Sequence, residues 1–279
     1  MSGQHDLGGG VWSFQAPLWQ TNSLLAVSED EALLCDPAFR PEEIEAIATE
    51  ARQRAGGRSF LLVTHADYDH VCGIPYFPEA EVVAGADAAA RLRDGRAAAG
   101  LVSGGTEWGV AWPSDLRVDR ELEGGEIELG SFRVAVIEAA SHGREGLGYV
   151  LLEQGVLLPG DNLSAITIPL LAGSFALARK AAERLLGALD SYALRHVVPG
   201  HGPVLPPDAA RRIGEEDLRY LEQLEAAARE AASERLSPGY AVAHVYGVEP
   251  PRPNTVDFEI YGIHGANARL ALREQGIEA

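Results

Sequence analysis

The chain has 279 residues, 46% of them hydrophobic, with a mean hydropathy of −0.05. These values exclude a disordered chain, and the length allows one large domain or a domain with a helical appendage. With 41 acidic against 23 basic residues the formal net charge is −18; such a surface repels nucleic acid and anionic membranes and argues against both as partners.

Residues 10–36 read as strands in succession: Val11–Phe14, Asn22–Val27 and Ala32–Cys35, separated by turn residues at 15–17 and 28–30. Asp36-Pro37 ends the last of them. A helix is expected over Pro41–Arg54, with proline and acids in its first turn, arginines in its last and Gly56-Gly57 beyond. Then comes the apolar run Phe60–Val63, a short buried strand that completes a strand–helix–strand unit.

The residues that follow this strand carry chemistry. His65, Asp67, Asp69 and His70 place four candidate metal ligands within six residues. A loop rooted on a strand end holds such side chains towards one point. His65 and Asp67 share a face in extended chain, and a tighter turn through Asp69-His70 offers a second pair to a second ion. Imidazole with carboxylate suits zinc, iron or manganese better than calcium or magnesium.

Downstream, Glu81–Val83 reads as a strand and Ala86–Arg93 as a helix. Residues 94–115, with Trp108 and Trp112, form a loop or short helices, a candidate lid. Strands are expected at Leu116–Val118, Glu126–Leu129, Phe132–Ile137, Gly148–Leu152 and Val156–Leu158. A helix from Phe175 to Leu189 has Ser174 as its N-cap, and His196–Val198 is a further strand leading into Pro199–Pro203. Asp208–Glu234 is a long helix with Leu218, Leu221 and Leu224 at helical spacing, residues 237–255 are punctuated by Pro and Gly, and Val256–Gln275 is helical. This succession predicts an α/β (α+β) chain built as a four-layer αββα sandwich over 1–205, with a mainly helical extension over 206–279 packed on it.

Three more ligand-type residues stand just after apolar strands: His142, Asp161 and His201. Each sits beside Gly or near it, where the backbone turns sharply. One such histidine is more often a satisfied loop residue than a ligand; three ligand-type residues at three strand ends are harder to dismiss.

Together these residues resemble the metallo-β-lactamase superfamily, whose signature is Thr-His-x-His-x-Asp-His, then a later His, an Asp and a final Gly-His. Here it reads Thr64-His65-Ala66-Asp67-Tyr68-Asp69-His70, His142, Gly160-Asp161 and Gly200-His201, in order over about residues 10–205. The resemblance implies two divalent metal ions, zinc foremost, with iron or manganese as alternatives. His65, Asp67 and His142 would hold one, Asp69, His70 and His201 the other, and Asp161 would bridge them with a water or hydroxide between the ions. Asp67 stands where the family usually has histidine, and relatives of the flavodiiron type carry a carboxylate there. Aspartate rather than cysteine at 161 points away from the antibiotic-hydrolysing branch.

The function expected is therefore a dinuclear metal hydrolase attacking an ester, thioester or lactone through the bridging hydroxide. Asp69 both ligates and acts as the catalytic group that orients the nucleophile or takes its proton. The alternatives are a di-iron redox protein served by a separate electron donor and a non-catalytic, metal-stabilised binding module. The partner expected is a small-molecule substrate; homo-oligomerisation stays open. Thr64 is expected to hydrogen-bond behind the ligands. Arg144 reads as solvated or as an anion contact, and His264 with Asn267 as an exposed pair on the tail helix. Cys35 and Cys72 read as buried thiols, and two cysteines make no disulfide framework. The first residues lack a basic region followed by an apolar one, so a cytoplasmic location is the expectation.

Overall fold

The computed structural model describes residues 3–94, 116–140, 145–171, 173–253 and 260–278. The candidate ligand His142, Arg144, Trp108, Trp112 and the candidate lid from residue 95 onward lie outside the described residues.

Two mixed sheets form the centre. The first has seven strands in sequential order: β1 (Gln4–Gly8), β2 (Val11–Gln15), β3 (Asn22–Ser28), β4 (Glu31–Cys35), β5 (Ser59–Val63), β6 (Glu81–Gly85) and β7 (Arg120–Leu122). Neighbours are antiparallel from β1 to β4 and parallel from β4 to β7. The second sheet has five strands, in the order β12 (His196–Val197), β11 (Val156–Leu158), β10 (Leu147–Leu151), β9 (Phe132–Glu138), β8 (Gly125–Leu129). Only β11 and β12 are parallel within it.

The pleat explains the layers. Along β5, Phe60 and Leu62 face the second sheet, where they meet Val134, Tyr149 and Leu158. Leu61 and Val63 face outward against α1 (Pro41–Arg54) and α3 (Ala86–Arg93), packing with Ile44, Ile47, Ala88 and Leu92. The outer face of the second sheet, through Ala135, Val150 and Leu157, packs with Leu185 of α4 (Phe175–Ser191) and Ala210 of α5 (Pro207–Ser233). The expected αββα sandwich is the result. Ser174 caps α4 as expected, accepting a hydrogen bond from the Leu177 N–H at 3.2 Å.

The carboxy-terminal helices are α5, α6 (Pro238–Tyr246) and α7 (Ile260–Glu274). They share an apolar cluster built from Leu221, Leu224, Ala228, Ala241, Val245 and Leu272, which also takes in Phe175 of α4. Among the described residues no helix is long and apolar enough to cross a membrane.

The polar stretch Gln4–Gly8, given no element in the sequence analysis, is an edge strand. Three expectations are corrected. The strand expected at Leu116–Val118 lies instead at Arg120–Leu122, and Leu116 and Val118 pack on the first sheet's outer cluster as irregular chain. Pro238 opens α6 at its first turn, where the missing N–H costs nothing. His264 and Asn267 are fully buried, not exposed. His264 Nδ1 lies 2.8 Å from the Tyr220 hydroxyl and its Nε2 lies 3.0 Å from the Tyr246 carbonyl. Asn267 accepts from the Leu171 N–H and donates to the Pro169 carbonyl, at 3.1 and 2.6 Å.

Candidate metal centre

The candidate ligands sit where strands from both sheets end. His65 and Asp67 leave β5 in extended chain. Asp69 and His70 then lie in a four-residue helix, α2 (Tyr68–Val71), whose N-cap is Asp67. Asp161 follows β11 through Pro159 and Gly160, and Gly160 adopts a φ of +60° that favours glycine. His201 follows β12. The Gly200 N–H donates to the Gly160 carbonyl at 2.7 Å, tying these two loops together. The Leu147 N–H donates to the Thr64 carbonyl at 2.9 Å, which joins one sheet's loop to the other sheet.

All three described histidines of the set present Nε2 inward, because an oxygen lies at each Nδ1. His65 Nδ1 lies 3.0 Å from Thr64 Oγ1, which itself donates to Asp36 Oδ2 at 2.5 Å. His70 Nδ1 lies 2.8 Å from Asp36 Oδ2. His201 Nδ1 lies 3.0 Å from the Trp19 carbonyl. A carboxylate, a carbonyl or, at His65, a hydroxyl that spends its own proton on Asp36 accepts from the outer nitrogen and fixes the tautomer that leaves Nε2 ready to ligate. Thr64 thus plays its expected supporting part. Asp36 and Trp19 are additions that the sequence reading lacks. Asp36 has a φ of +46°, with its carboxylate also accepting from the Thr64 N–H at 2.9 Å. An aspartate before proline at a strand end is the available signal. Asn22 secures the last loop by donating to the Pro199 and Gly202 carbonyls, both at 2.7 Å.

The inward atoms converge on Asp161. Its Oδ2 lies 3.6 Å from His65 Nε2, while its Oδ1 lies 3.1 Å from His70 Nε2 and 3.4 Å from His201 Nε2. Asp69 Oδ2 lies 3.4 Å from His70 Nε2 and 3.3 Å from His201 Nε2. Two overlapping groups have ligand atoms within 4.8 Å of one another: His65, His70 and Asp161, and Asp69, His70 and His201. Asp67 lies outside both groups. Its Oδ2 is 3.6 Å from His65 Nε2, and its Oδ1 is bound to Arg91 at 2.7 Å.

The donor chemistry fits a divalent metal. His70 is fully buried, and its Nε2 makes no hydrogen bond of acceptable geometry. A buried imidazole nitrogen facing two carboxylates in this way is what a metal ligand requires. Burial opposes the charge on Asp161, but His201, His70 and His65 outweigh it and hold its carboxyl well below the usual range. Burial likewise opposes ionisation of Asp69, and His70 and His201 still hold it low. In return, against the same burial, Asp69, Asp161 and Asp36 hold His70 well above its usual value.

Gly200 is the close-approach point. A Cβ there would stand 2.3 Å from Asp161 Oδ1 and 2.9 Å from His70 Cε1. Gly200→Ala is therefore expected to displace Asp161 and weaken metal binding by roughly 10–100-fold, the range seen when ligand orientation is disturbed. Competition against a chromophoric chelator measures it; an unchanged affinity would contradict this packing.

Comparison with known proteins settles the family. The sequence profile of the metallo-β-lactamase superfamily matches residues 16–229. The chain belongs to the metallo-β-lactamase superfamily. Among solved structures, a metallo-β-lactamase family protein from Thermus thermophilus superposes with a TM-score of 0.66 at 20% identity, covering 97% of this chain and 95% of that one. The B3 metallo-β-lactamase BLEG-1 gives 0.56 at 21% identity, over 70% and 92% of the two chains. The metallo-β-lactamase from Pontibacter korlensis gives 0.57 at 16%, over 78% and 98%. At these identities the likeness shows the fold. No curated protein matches the chain. The superfamily consists mostly of metal-dependent hydrolases, and its fold together with these His/Asp clusters fits that class and divalent-metal binding.

Other residues read from the sequence take structural places. Cys72 is buried beside the Phe39 carbonyl, 3.6 Å from Sγ, and burial pushes its thiol far up. His196 Nε2 lies 3.1 Å from the Leu7 carbonyl, holding β12 to β1.

Proposed function

We propose that this superfamily member is a two-ion hydrolase of a small ester, thioester or lactone. The observation that carries the reading is the division of Asp161: one oxygen turned to His65, the other to His70 and His201. A carboxylate so placed serves both halves of a paired site. His65, Asp67 and the sequence-predicted His142 would hold one ion, and Asp69, His70 and His201 the other. Zinc suits this set best, with iron or manganese as alternatives. When bound, the ions would activate a water and polarise the scissile carbonyl.

The chain's own residues supply the rest. Thr64, Asp36 and the Trp19 carbonyl keep each imidazole at one angle, so the ligands need no reorganisation. Asp69, whose carboxyl is held low between His70 and His201, would orient the attacking water or accept the proton it loses. The charge of −18 speaks against a nucleic-acid substrate. Aspartate rather than cysteine at 161 points away from the antibiotic-hydrolysing branch.

The test is elemental analysis of the purified protein together with a panel of thioesters, lactones, aryl esters and phosphodiesters. Two colourless ions per chain and turnover of a carbonyl ester, abolished by chelation, are expected. Asp67, an extra carboxylate beside the imidazoles, favours one other reading, a di-iron redox centre. Iron with visible absorption bands and no ester turnover would establish that reading instead.

A further inference from the structure

Asp67 shares its carboxylate with a cation. Arg91, on α3, reaches Asp67 Oδ1 through Nη2 at 2.7 Å and grips Glu145 through Nη1. The arginine side chain is 23% exposed, so most of this trio lies out of water. Asp67 Oδ2 stays turned to His65 Nε2 at 3.6 Å. By contrast, the ion pairs of Asp69 among the described residues are with His70 and His201.

We infer that Arg91 is a positioning residue that makes Asp67 a charge-neutral, single-oxygen donor, so that the ion on the His65 side is held less tightly than the ion on the His201 side. The inference rests on the two-ion reading above. Its physics is direct. A planar guanidinium fixes one carboxylate oxygen and leaves the other for coordination. The aspartate–arginine pair carries no net charge, the same as the neutral imidazole that the family signature places at this position. Arg91 also sets a unit positive charge beside a dication, and that repulsion falls with distance, so it weakens binding most on its own side. Glu145 occupies the second arm of the fork and keeps the guanidinium from swinging away from Asp67.

The experiment is a zinc titration of the full chain against a chromophoric chelator, with His65→Ala and His201→Ala assigning the weaker and tighter steps. Arg91→Met leaves Asp67 and Glu145 without their counter-charge, and the weaker ion should bind about 10-fold more tightly or better. The tighter ion should move little. Arg91→Lys, which keeps the charge but not the fork, should stay nearer the parent than Arg91→Met does. Asp67→His combined with Arg91→Met should also return within a few-fold of the parent, since a neutral donor has replaced a neutral pair. A weaker step that is unchanged or weaker still in Arg91→Met overturns the inference. If that variant does not fold, Asp67→His alone decides: Arg91 keeps Glu145 as counter-charge but the trio has lost one negative charge beside the ion, and the weaker step should loosen about 10-fold, with no loosening as the overturning result. A parent chain that takes up fewer than two zinc ions at saturation removes the two-ion reading itself, and this inference with it.

Discussion

Replacing Asp161 with alanine is expected to lower turnover on the order of a thousand-fold or more and to leave fewer than two ions per chain. The magnitude follows from Lewis-acid stabilisation worth several kcal/mol, at about 1.4 kcal/mol per tenfold in rate. It follows also from position: among the described residues, no other carboxylate of the set has one oxygen 3.6 Å from His65 and the other within 3.4 Å of both His70 and His201. Asp161→Asn separates charge from shape. It keeps the side chain's volume beside Gly200, so any loss it shares with alanine is due to the missing anionic oxygen. Thermal unfolding in the presence of chelator controls for folding. Two ions and full turnover in Asp161→Ala would refute the paired-site reading.

The second large effect concerns stability, far from the ligands in sequence. Asp217 and Arg252 form a buried ion pair between α5 and the segment that follows α6. Arg252 also donates from Nε to the Thr167 carbonyl at 2.6 Å, and so grips the chain leading away from Asp161. Asp217→Ala at pH 8 leaves that buried guanidinium with the more exposed Glu216, 3.5 Å from Nη1, as its one remaining carboxylate among the described residues, and should cost roughly 3 kcal/mol. Asp217→Leu combined with Arg252→Met should recover most of this. Burial pushes the Asp217 carboxyl up to about 7, against the pull of Arg252. The folded chain therefore holds this proton more tightly than the unfolded chain does. Stability from this group is complete below about pH 4 and is lost as pH rises through about 7. Denaturant unfolding of parent and Asp217→Asn across pH 4–8 should show the parent falling relative to the variant, then running parallel above 7. A difference that is flat with pH would contradict it.

The sandwich was legible in the sequence because burial writes a period into strands. Phe60–Val63 alternates between two apolar layers and therefore shows as a continuous apolar run, and the ligand motif hangs from its end. What stayed hidden depends on partners distant in sequence. Asp36 meets His70 from another strand, and Trp19 meets His201 through a backbone carbonyl that no side-chain pattern encodes. Arg91 looks like any solvated arginine in the last turn of a helix until Asp67 and Glu145 are brought beside it. His264 and Asn267 looked exposed because a helix face carries no mark of what will cover it. Here Tyr220, Tyr246 and residues 169–171 do so. Gln4–Gly8 has too few apolar residues to signal a strand, and it pairs only at the sheet's edge.

The ligands' attachment to both sheets has a mechanical meaning. His65, Asp67, Asp69 and His70 belong to one slab, and Asp161 and His201 to the other. Ions seated among them would act as rivets through the seam, binding only while the slabs are closed. Chelators and denaturants would then attack the same joint: stripping the ions would lower the melting temperature, and prising the slabs apart would shed the ions before either sheet had melted.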